Sequence, residues 1–281
     1  MISGSLLIDK EIGLTSRQEV NNVSRLLNEK KAGHIGTLDP FADGLLIVLL
    51  GRATKISPFL EGMDKTYSGT LKLGELTDTG DLTGNIVSKE PVPELNKDKI
   101  EAVLSSFLGK QKQVPPMYSA LKVNGKELYK YAREGQTLER KEREIEIYEL
   151  KLLSFIKDEI SFIAKVSKGT YIRTLGEDIA KKLGTVGHLT KLTRLAIGPF
   201  SIEDTIKSKD AKIDNLISNE NMLKFMPSFK VDGELERKAK NGMHFRLPIN
   251  EKTVALKDDE GIIAIYEQMP SGVYRCLRGL R

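Results

Sequence analysis

The sequence is poor in cysteine and histidine, the residues that most often form metal centres and disulfide-linked folds. Its 281 residues include one cysteine, three histidines and no tryptophan. The single cysteine, Cys276, excludes an internal disulfide framework and a cysteine-based zinc cluster. The histidines, His34, His188 and His244, lie too far apart in sequence for a metal-binding spacing. We therefore predict no metal site.

Long apolar segments and common cofactor motifs are also absent. No apolar run approaches the roughly 18 residues of a membrane span, and the N-terminus lacks the pattern of a signal peptide. The sequence contains no G-x-G-x-x-G after a predicted strand, no G-x-x-x-x-G-K-[ST], no G-x-S-x-G and no H-E-x-x-H. These absences predict a cytoplasmic protein without a membrane partner and give no local support for a nucleotide cofactor.

Positive and negative charges are nearly balanced overall, and the small positive excess is concentrated in one segment. Lysine and arginine number 44 and aspartate and glutamate 39, a net charge of +5. Residues 109–143 hold nine basic and four acidic residues, so this segment carries the whole excess. Tyrosines are interleaved with these cations, a combination typical of surfaces that bind a nucleic-acid backbone. A solvated loop and helix face is an equally good interpretation of the charge alone.

The hydrophobic pattern predicts an α+β fold, because helices and strands do not alternate as regular βαβ units. Strands are predicted at 5–9, 45–50, 66–73, 145–150, 160–166, 253–257 and 262–266. Helices are predicted from Ser16, with a Ser16–Glu19 capping box, from Asn96 to a stop at Gly109, at 175–183, and at 189–195. Short strands after about residue 228 predict a small all-β module, which divides the chain into 1–228 and 229–281.

Candidate functional residues are densest in residues 32–56, AGHIGTLDPFADGLLIVLLGRATKI. Glycines let the backbone approach a ligand closely, and Asp39 before Pro40 is held in an extended conformation. Such a loop can direct a carboxylate into a site. Asp-Pro is also a common turn starter, and composition alone favours that structural interpretation.

Segments along most of the chain resemble the bacterial TruB-type tRNA pseudouridine synthases. The family signature is similar to GHIGTLDPFADGLLIVLLGRATK. Its other motifs resemble, in the same order along the chain, LLIDKEIGLTS, KTYSGTLKLGELTDTGDLTG, QVPPMYSALKVNGKELYKYAREG, SKGTYIRTLGEDIAKKLG and VGHLTKLTRLAIGPF. These segments cover about residues 5–200. The tail, GMHFRLP…VALKDDEGIIAIYE, resembles with lower specificity a short PUA-type RNA-binding barrel.

The resemblance implies a fold and a reaction. The implied fold has a mixed, largely antiparallel central sheet with flanking helices, an RNA-contacting insertion at about 109–143, and a PUA-like RNA-binding module at 229–281. The implied reaction flips a uridine out of the T loop of tRNA, at position 55, and isomerises it to pseudouridine without a cofactor. We expect the T arm of tRNA as partner, no obligatory protein partner, and a monomer.

The resemblance also assigns roles to individual residues. Asp39 matches the catalytic aspartate, a nucleophile or charge stabiliser, and Arg173 is its expected ion-pair partner. Tyr67 matches the aromatic residue that holds the extruded base and assists catalysis. Further matches are Tyr171 and Leu192 in the base pocket, His34 beside the flipped nucleotide, and Lys10 and Asp81 in supporting or RNA-facing positions. The basic character of the insertion, in addition, predicts phosphate contacts for Lys110, Lys112, Lys122, Lys126 and Lys130.

Spacing alone gives several of these residues a plainer interpretation. Tyr67 on an alternating strand and Leu192 at period three are typical of core residues. Arg173 could be a surface cation at a helix start, and His34 a glycine-flanked surface histidine. His188 and His244 are interpreted as structural or solvated. The roles above therefore rest on the resemblance.

The sequence departs from the family pattern at one position, and two functions other than a stand-alone synthase stay open. The family usually has proline after its counterpart of Lys10, whereas Glu11 follows here, an acidic group near a loop expected to face RNA. One alternative is the catalytic subunit of a guide-RNA-directed pseudouridylation complex, whose relatives share the Asp39 motif. The other is a non-catalytic tRNA-folding chaperone, which would not need Asp39. The chain's own basic insertion and its retained aspartate favour a stand-alone enzyme.

Overall fold

The computed structural model describes residues 2–280, which form a large sheet with flanking helices and a second sheet near the C-terminus. The strands in chain order are β1 (Gly4–Lys10), β2 (Ala32–Ile35), β3 (Asp43–Leu50), β4 (Lys65–Leu73), β5 (Glu75–Thr77), β6 (Ile86–Lys89), β7 (Gly109–Gln113), β8 (Lys122–Val123), β9 (Lys126–Glu127), β10 (Arg143–Ile156), β11 (Glu159–Val166), β12 (Gly187–Ile197), β13 (Phe200–Ser201), β14 (Ser228–Lys230), β15 (Thr253–Asp258), β16 (Gly261–Gln268) and β17 (Tyr274–Gly279). The α-helices are α1 (Ser16–Leu26), α2 (Ser57–Glu61), α3 (Lys97–Ser105), α4 (Leu128–Arg133), α5 (Ile172–Leu183), α6 (Asn219–Met222) and α7 (Gly233–Lys240).

Within residues 2–280, nine strands form the central sheet. Its main path is β1-β3-β12-β4-β11-β10-β7, with β2 added to β3 and β13 to β12. The pairs along it are antiparallel, except that β12 runs parallel to β3. This confirms the predicted α+β class with a mixed, largely antiparallel sheet. No helix of residues 2–280 is long and apolar enough to cross a membrane.

The core of the sheet follows from the apolar patterns of its strands. On β4 the alternating residues Tyr67 and Leu71 face inward, and they share a hydrophobic cluster with Leu175 and Ile179 of α5. Strand β3 is buried along nearly its whole length, which explains its continuous apolar run. The predicted strands at 45–50, 66–73 and 160–166, and the helix that stops at Gly184, are confirmed.

The C-terminal residues form a four-stranded sheet in the order β14-β15-β16-β17. One face encloses a small core that includes Val254 and Tyr266. The other contributes Ala255 and Ile265 to a cluster that also contains Ile47 of β3, so the module packs on the back of the central sheet. The predicted strands at 253–257 and 262–266 are confirmed. The boundary at residue 228, where β14 begins, stays a prediction.

Close approach of β3 and β12 places two functional segments side by side. Gly44, at the start of β3, has φ +96°, and a Cβ at this position would lie 2.4 Å from the carbonyl oxygen of Arg194. Glycine is therefore required for the parallel pairing of Gly44 with Arg194. The pairing brings the end of the Asp39 loop against the strand that carries Leu192.

The predicted helix at 189–195 is wrong, because these residues belong to β12. The leucines recur every three residues, as in a helix, but the pairing of β12 with β4 shifts register between Leu189 and Lys191. This bulge lets Leu189 and Leu192 both face the core from a strand. An irregular strand thus produces the spacing of a short helix.

Two predicted helix boundaries also need correction. The cap of α1 is Thr15, which forms a capping box with Gln18, one residue before the predicted Ser16–Glu19 pair. Helix α3 begins after its predicted cap, Asn96, but ends at Ser105. Gly109 instead opens β7. At α1 the T-x-x-Q and S-x-x-E patterns overlap by one residue, and the Ser16 hydroxyl is instead bonded to the Leu38 backbone.

Candidate active site

Asp39 lies in the loop between β2 and β3, and the N-terminal segment holds this loop in place. Ser16 Oγ accepts a hydrogen bond from the Leu38 N–H at 2.8 Å and donates to the Leu38 carbonyl at 3.1 Å. The Gly13 N–H donates to the Pro40 carbonyl at 2.7 Å. Both neighbours of Asp39 are thus fixed by contacts from a distant segment as well as by the proline ring.

Lys10 supports the same loop from within the core. Its side chain is fully buried at the end of β1, and its ammonium donates to the carbonyls of Ala42 at 2.6 Å and Glu11 at 3.0 Å. Burial lowers the pKa of Lys10 to about 8, although nearby carboxylates oppose the shift. A side chain without solvent exposure fits a supporting role and not contact with RNA.

Arg173, itself buried, forms an ion pair with Asp39 across the site. Its Nε lies 2.8 Å from Asp39 Oδ2, and its Nη2 donates to Oδ1 at 3.2 Å. The guanidinium also donates to the carbonyls of Thr79 and Tyr118, both at 2.7 Å. Arg173 lies in the first turn of α5 and is buried, so it is not the surface cation that its position in the helix suggests.

Asp81 adds a second negative charge to this guanidinium. Its Oδ1 accepts hydrogen bonds from the Thr83 N–H at 2.9 Å and the Thr79 hydroxyl at 3.0 Å. Its Oδ2 lies 3.7 Å from Arg173 Nη1. Asp81 is buried, so its geometry fits the supporting role and not contact with RNA.

The Asp39 carboxylate is held in a setting that disfavours its charge. Burial is the main cause that raises the pKa of Asp39, and the negative charge of Asp81 adds to it, whereas Arg173 opposes the shift. The side chain still keeps 36% of its exposure, toward an open pocket. A carboxylate with a raised pKa, a charged partner and access to a pocket is typical of functional sites.

A pocket of about 330 Å³ opens directly over Asp39 and brings together five of the six predicted catalytic and substrate-binding residues, all except His34. Tyr67 and Leu192 line it, although both are largely buried in the core. Tyr171 lines the same pocket, and burial raises the pKa of its phenol. The core and the pocket interpretations of Tyr67 and Leu192 are therefore compatible, because the inner face of β4 and β12 is also the pocket wall.

The insertion at 109–143 contributes one wall of the pocket and also anchors Tyr171. Ser119, Ala120 and Leu121 line the pocket. The buried Gln113 accepts from the Tyr171 N–H at 2.8 Å and donates to the Tyr171 carbonyl at 3.1 Å. This wall is thus built partly by the segment that sequence predicted to contact RNA.

The lysines of the insertion are outside the pocket, and most of them are paired. Glu127 contacts Lys122 at 3.7 Å and Lys130 at 2.8 Å, and Glu134 contacts Lys126 at 2.6 Å. On β7, Lys112 contacts Glu142 at 3.7 Å, while Lys110 is exposed on the same strand. Their predicted contact with phosphates stays a prediction.

His34 lies beside the pocket without lining it. It is half-buried on β2, its Nε2 is 3.1 Å from the Thr37 hydroxyl, and its Nδ1 has no partner within residues 2–280. Burial, together with the cations Arg17 and Arg194, lowers the pKa of His34 to about 4. The imidazole is therefore neutral at neutral pH, with a free nitrogen next to the loop that carries Asp39.

Sequence reasoning missed one residue that ties the site together, Arg194. It is buried, lines the pocket, and donates from Nε to the Leu45 carbonyl at 2.7 Å and from Nη2 to the Gly36 carbonyl at 2.8 Å. It thus bridges the two ends of the Asp39 loop. If residues 187–197 are read as a strand, Arg194 lies two positions after Leu192 and therefore on the same, inner face.

Similarity to known proteins agrees with this geometry. A family model described as "TruB family pseudouridylate synthase (N terminal domain)" matches residues 24–172. "tRNA pseudouridine synthase B" of Francisella tularensis subsp. novicida is 42% identical over 275 residues, covering 95% of this chain and 91% of the relative. The protein of the same name from Hydrogenovibrio crunogenus is 52% identical over 221 residues, covering 76% of this chain and 73% of the relative.

A solved structure shares the fold. A chain of the "Structure of H/ACA RNP bound to a substrate RNA containing 2'-deoxyuridine" superposes with a TM-score of 0.76 and 21% identity, covering 99% of this chain and 85% of that chain. The family match spans more than half of this chain, and the two relatives exceed 40% identity over most of it. Taken with the Asp39–Arg173 pair at the pocket, these similarities show that the chain belongs to the TruB family of pseudouridylate synthases.

Proposed function

We propose that this chain isomerises uridine to pseudouridine in the T loop of tRNA, at position 55. The observation that carries the proposal is the Asp39 carboxylate, held at two points by Arg173 at the base of a pocket lined by Tyr67. The names of the relatives supply tRNA as the substrate, and a pocket of this size admits one extruded base. The cytoplasm is the location that fits this substrate.

The residues divide the work of the isomerisation. The reaction breaks the bond between uracil N1 and the sugar C1′ and joins C5 to C1′, and the proton lost from C5 is balanced by one gained at N1. Asp39 acts as nucleophile or charge stabiliser during this exchange, in its ionised form. Arg173 orients the carboxylate and favours its ionised form, against the rise in its pKa that burial causes. The reaction involves no net oxidation or reduction, because the product is an isomer of the substrate, and the family resemblance implies that it needs no cofactor.

Pocket residues hold the base while it is detached. The ring of Tyr67 supports the extruded uracil, and Tyr171 and Leu192 complete the walls. The Tyr67 hydroxyl, carried by the same ring, moves a proton at C5 or the sugar. His34, with a neutral ring, contacts the nucleotide beside the flipped one, the role that the family resemblance gives it.

We favour a stand-alone, monomeric enzyme over the two alternatives. The relatives named for tRNA are 42% and 52% identical, whereas the neighbour from a ribonucleoprotein is 21% identical and supports the fold alone. A chaperone without catalysis would not need a carboxylate held at a pocket by a buried arginine, an arrangement that is costly to fold.

The test is to incubate purified protein with unmodified tRNA transcript, without other proteins or guide RNA, and to map pseudouridine. We expect a single modified site, U55. A transcript with cytidine at that position is the matched control and should stay unmodified. Binding without any pseudouridine would favour the chaperone, and modification only after a guide RNA is added would favour the guided complex.

A further inference from the structure

The backbone after β1 makes an unusual contact with a buried carboxylate. The Glu11 N–H, a group that proline would lack, donates a 2.9 Å hydrogen bond to Glu19 Oε1. Glu19 lies in the first turn of α1 and is fully buried, whereas the side chain of Glu11 is exposed. The exposed side chain of Glu11 leaves Lys10 buried and hydrogen-bonded, and the effect of its negative charge on RNA binding stays a prediction.

The carboxylate of Glu19 is only partly compensated by this hydrogen bond. Its second oxygen, Oε2, is buried and has no hydrogen-bond partner within residues 2–280. A buried charge of this kind is costly unless an opposite charge lies nearby. Helix α1 has its N-terminus here, which favours a negative charge by a modest amount.

Lys10, which is also fully buried, is connected to Glu19 through the backbone of Glu11. Among the charged groups around the Lys10 ammonium, Glu19 opposes the lowering of its pKa most strongly. Asp43 and Asp39 act in the same direction with smaller effects, and Arg194 acts against them. These groups come from α1, β3, the Asp39 loop and β12.

The backbone of Glu11 links the two charges directly. Its carbonyl accepts a hydrogen bond from Lys10 at 3.0 Å, while its N–H donates to Glu19. Lys10 also donates to the Ala42 carbonyl, three residues after Asp39. A charged ammonium has three N–H donors for this work, whereas a neutral amine has two and carries no charge.

We propose that Glu19 is a positioning residue for the reaction at Asp39, and that it acts by keeping Lys10 charged and fixed against the Asp39 loop. Its effect on the rate rests on the proposed function. The linkage between Glu11, Glu19 and Lys10 does not, because it is a property of the free protein.

The first test compares rate profiles on tRNA. Glu19→Gln keeps the acceptor for the Glu11 N–H and removes the charge, so Lys10 should lose its proton at a pH lower by roughly one unit. The alkaline limb of the single-turnover rate should move down by the same amount, with the Kd for tRNA unchanged. Glu11→Gln, which changes an exposed side chain and keeps the N–H, is the matched control and should leave the profile unchanged. An unshifted limb, or an equal loss at every pH, overturns the proposal.

The second test needs no activity. Lys10 has a lower pKa when folded than when unfolded, so its contribution to stability rises with pH from about 8 to 10.5. In Glu19→Gln the rise in the free energy of unfolding should begin at a lower pH than in wild type. This difference in onset pH should vanish when Lys10→Met is added to both wild type and Glu19→Gln. A difference that persists without Lys10 overturns the proposal. If the wild-type protein modifies no tRNA, the proposed function fails while this measurement still decides the linkage.

Discussion

Arg173 holds both oxygens of Asp39 at once, with Nε 2.8 Å from Oδ2 and Nη2 3.2 Å from Oδ1. A two-point contact fixes the orientation of the carboxylate as well as its charge. The carbonyls of Thr79 and Tyr118 occupy further donors of the same guanidinium. The position of Asp39 is therefore set by the protein, through a side chain that is itself held in place.

Asp39→Asn should remove catalysis while leaving the RNA surface intact. The substitution keeps the size of the side chain and removes the charge, so we expect pseudouridine formation to fall by several orders of magnitude with little change in tRNA affinity. Single-turnover rates and separate binding measurements check this. A rate above about a tenth of wild type, a loss of only ~1.4 kcal/mol in transition-state stabilisation, would show that Asp39 is not catalytic.

Arg173→Lys should show that geometry, and not charge alone, matters at this position. Lysine keeps the charge but cannot contact both Asp39 oxygens and the carbonyls of Thr79 and Tyr118 together. We expect a rate loss of about 10²-fold and a loss of roughly 1–3 kcal/mol in the free energy of unfolding from the unpaired buried acceptors. Urea denaturation and single-turnover kinetics measure the two effects. An active, fully stable variant would contradict the two-point role.

Substitutions at Tyr67 separate stacking from proton transfer. Tyr67→Phe keeps the ring that lines the pocket and removes the hydroxyl, and Tyr67→Leu removes both. We expect the Phe variant to bind tRNA normally yet react roughly 10²–10⁴-fold more slowly, because the hydroxyl moves a proton. If Tyr67 only stacks, Phe should be nearly fully active and Leu poor. Wild-type rates for both variants would place Tyr67 outside the chemistry.

The acid limb of the rate should follow Asp39. Because the pKa of Asp39 is raised, the ionised, active form is lost at a higher pH than for an ordinary aspartate. Asp81→Asn removes a negative charge that raises this pKa, so the limb should move to lower pH. Rates measured from about pH 4.5 to about pH 7 on folded protein test the direction. Asp78→Asn, an exposed aspartate in the same turn, is the control and should leave the limb in place.

The same shift has a consequence for stability. The folded pKa of Asp39 lies above its unfolded value, so the ionised carboxylate lowers the stability of the fold at neutral pH. That cost should begin to shrink as the pH falls below the folded pKa and should be gone below the unfolded pKa, which urea denaturation at a series of pH values can measure.

The insertion should dominate the salt dependence of tRNA binding. Replacing Lys110 and Lys130 by glutamine should weaken affinity and reduce the log-log salt slope by roughly 0.7–0.9 for each lost phosphate contact. Lys97→Gln with Lys99→Gln, on the exposed side of α3, is the matched control. An equal effect from the control pair would move the RNA surface elsewhere.

Glu127 offers a complementary change in the opposite direction. It pairs with Lys122 and Lys130 and so neutralises part of the insertion. Glu127→Gln should release both lysines, tighten tRNA binding and steepen the salt slope. Weaker binding would show that these pairs order the insertion for RNA.

The sequence by itself determined the elements whose signals are local. Continuous apolar residues specified β3, strict alternation specified β4 and β11, and the helix that ends at Gly184 followed from its leucine spacing and the glycine stop. The family motifs alone pointed to Asp39, Tyr67 and Arg173 as site residues. These features depend on periodicity and on residue type, which a linear chain displays directly.

Only the tertiary structure decided how distant residues meet. Arg173 and Asp39 are 134 positions apart, and the contacts between them depend on the placement of α5 over the sheet. The identity of β12 as a strand was also decided there, because its bulge imitates helical spacing. Glu19 looked like an ordinary capping residue, yet the fold turned it inward to the Glu11 N–H and the Lys10 charge. Long-range contacts of this kind leave no periodic signal in the sequence, since each partner is specified by a different segment of the chain.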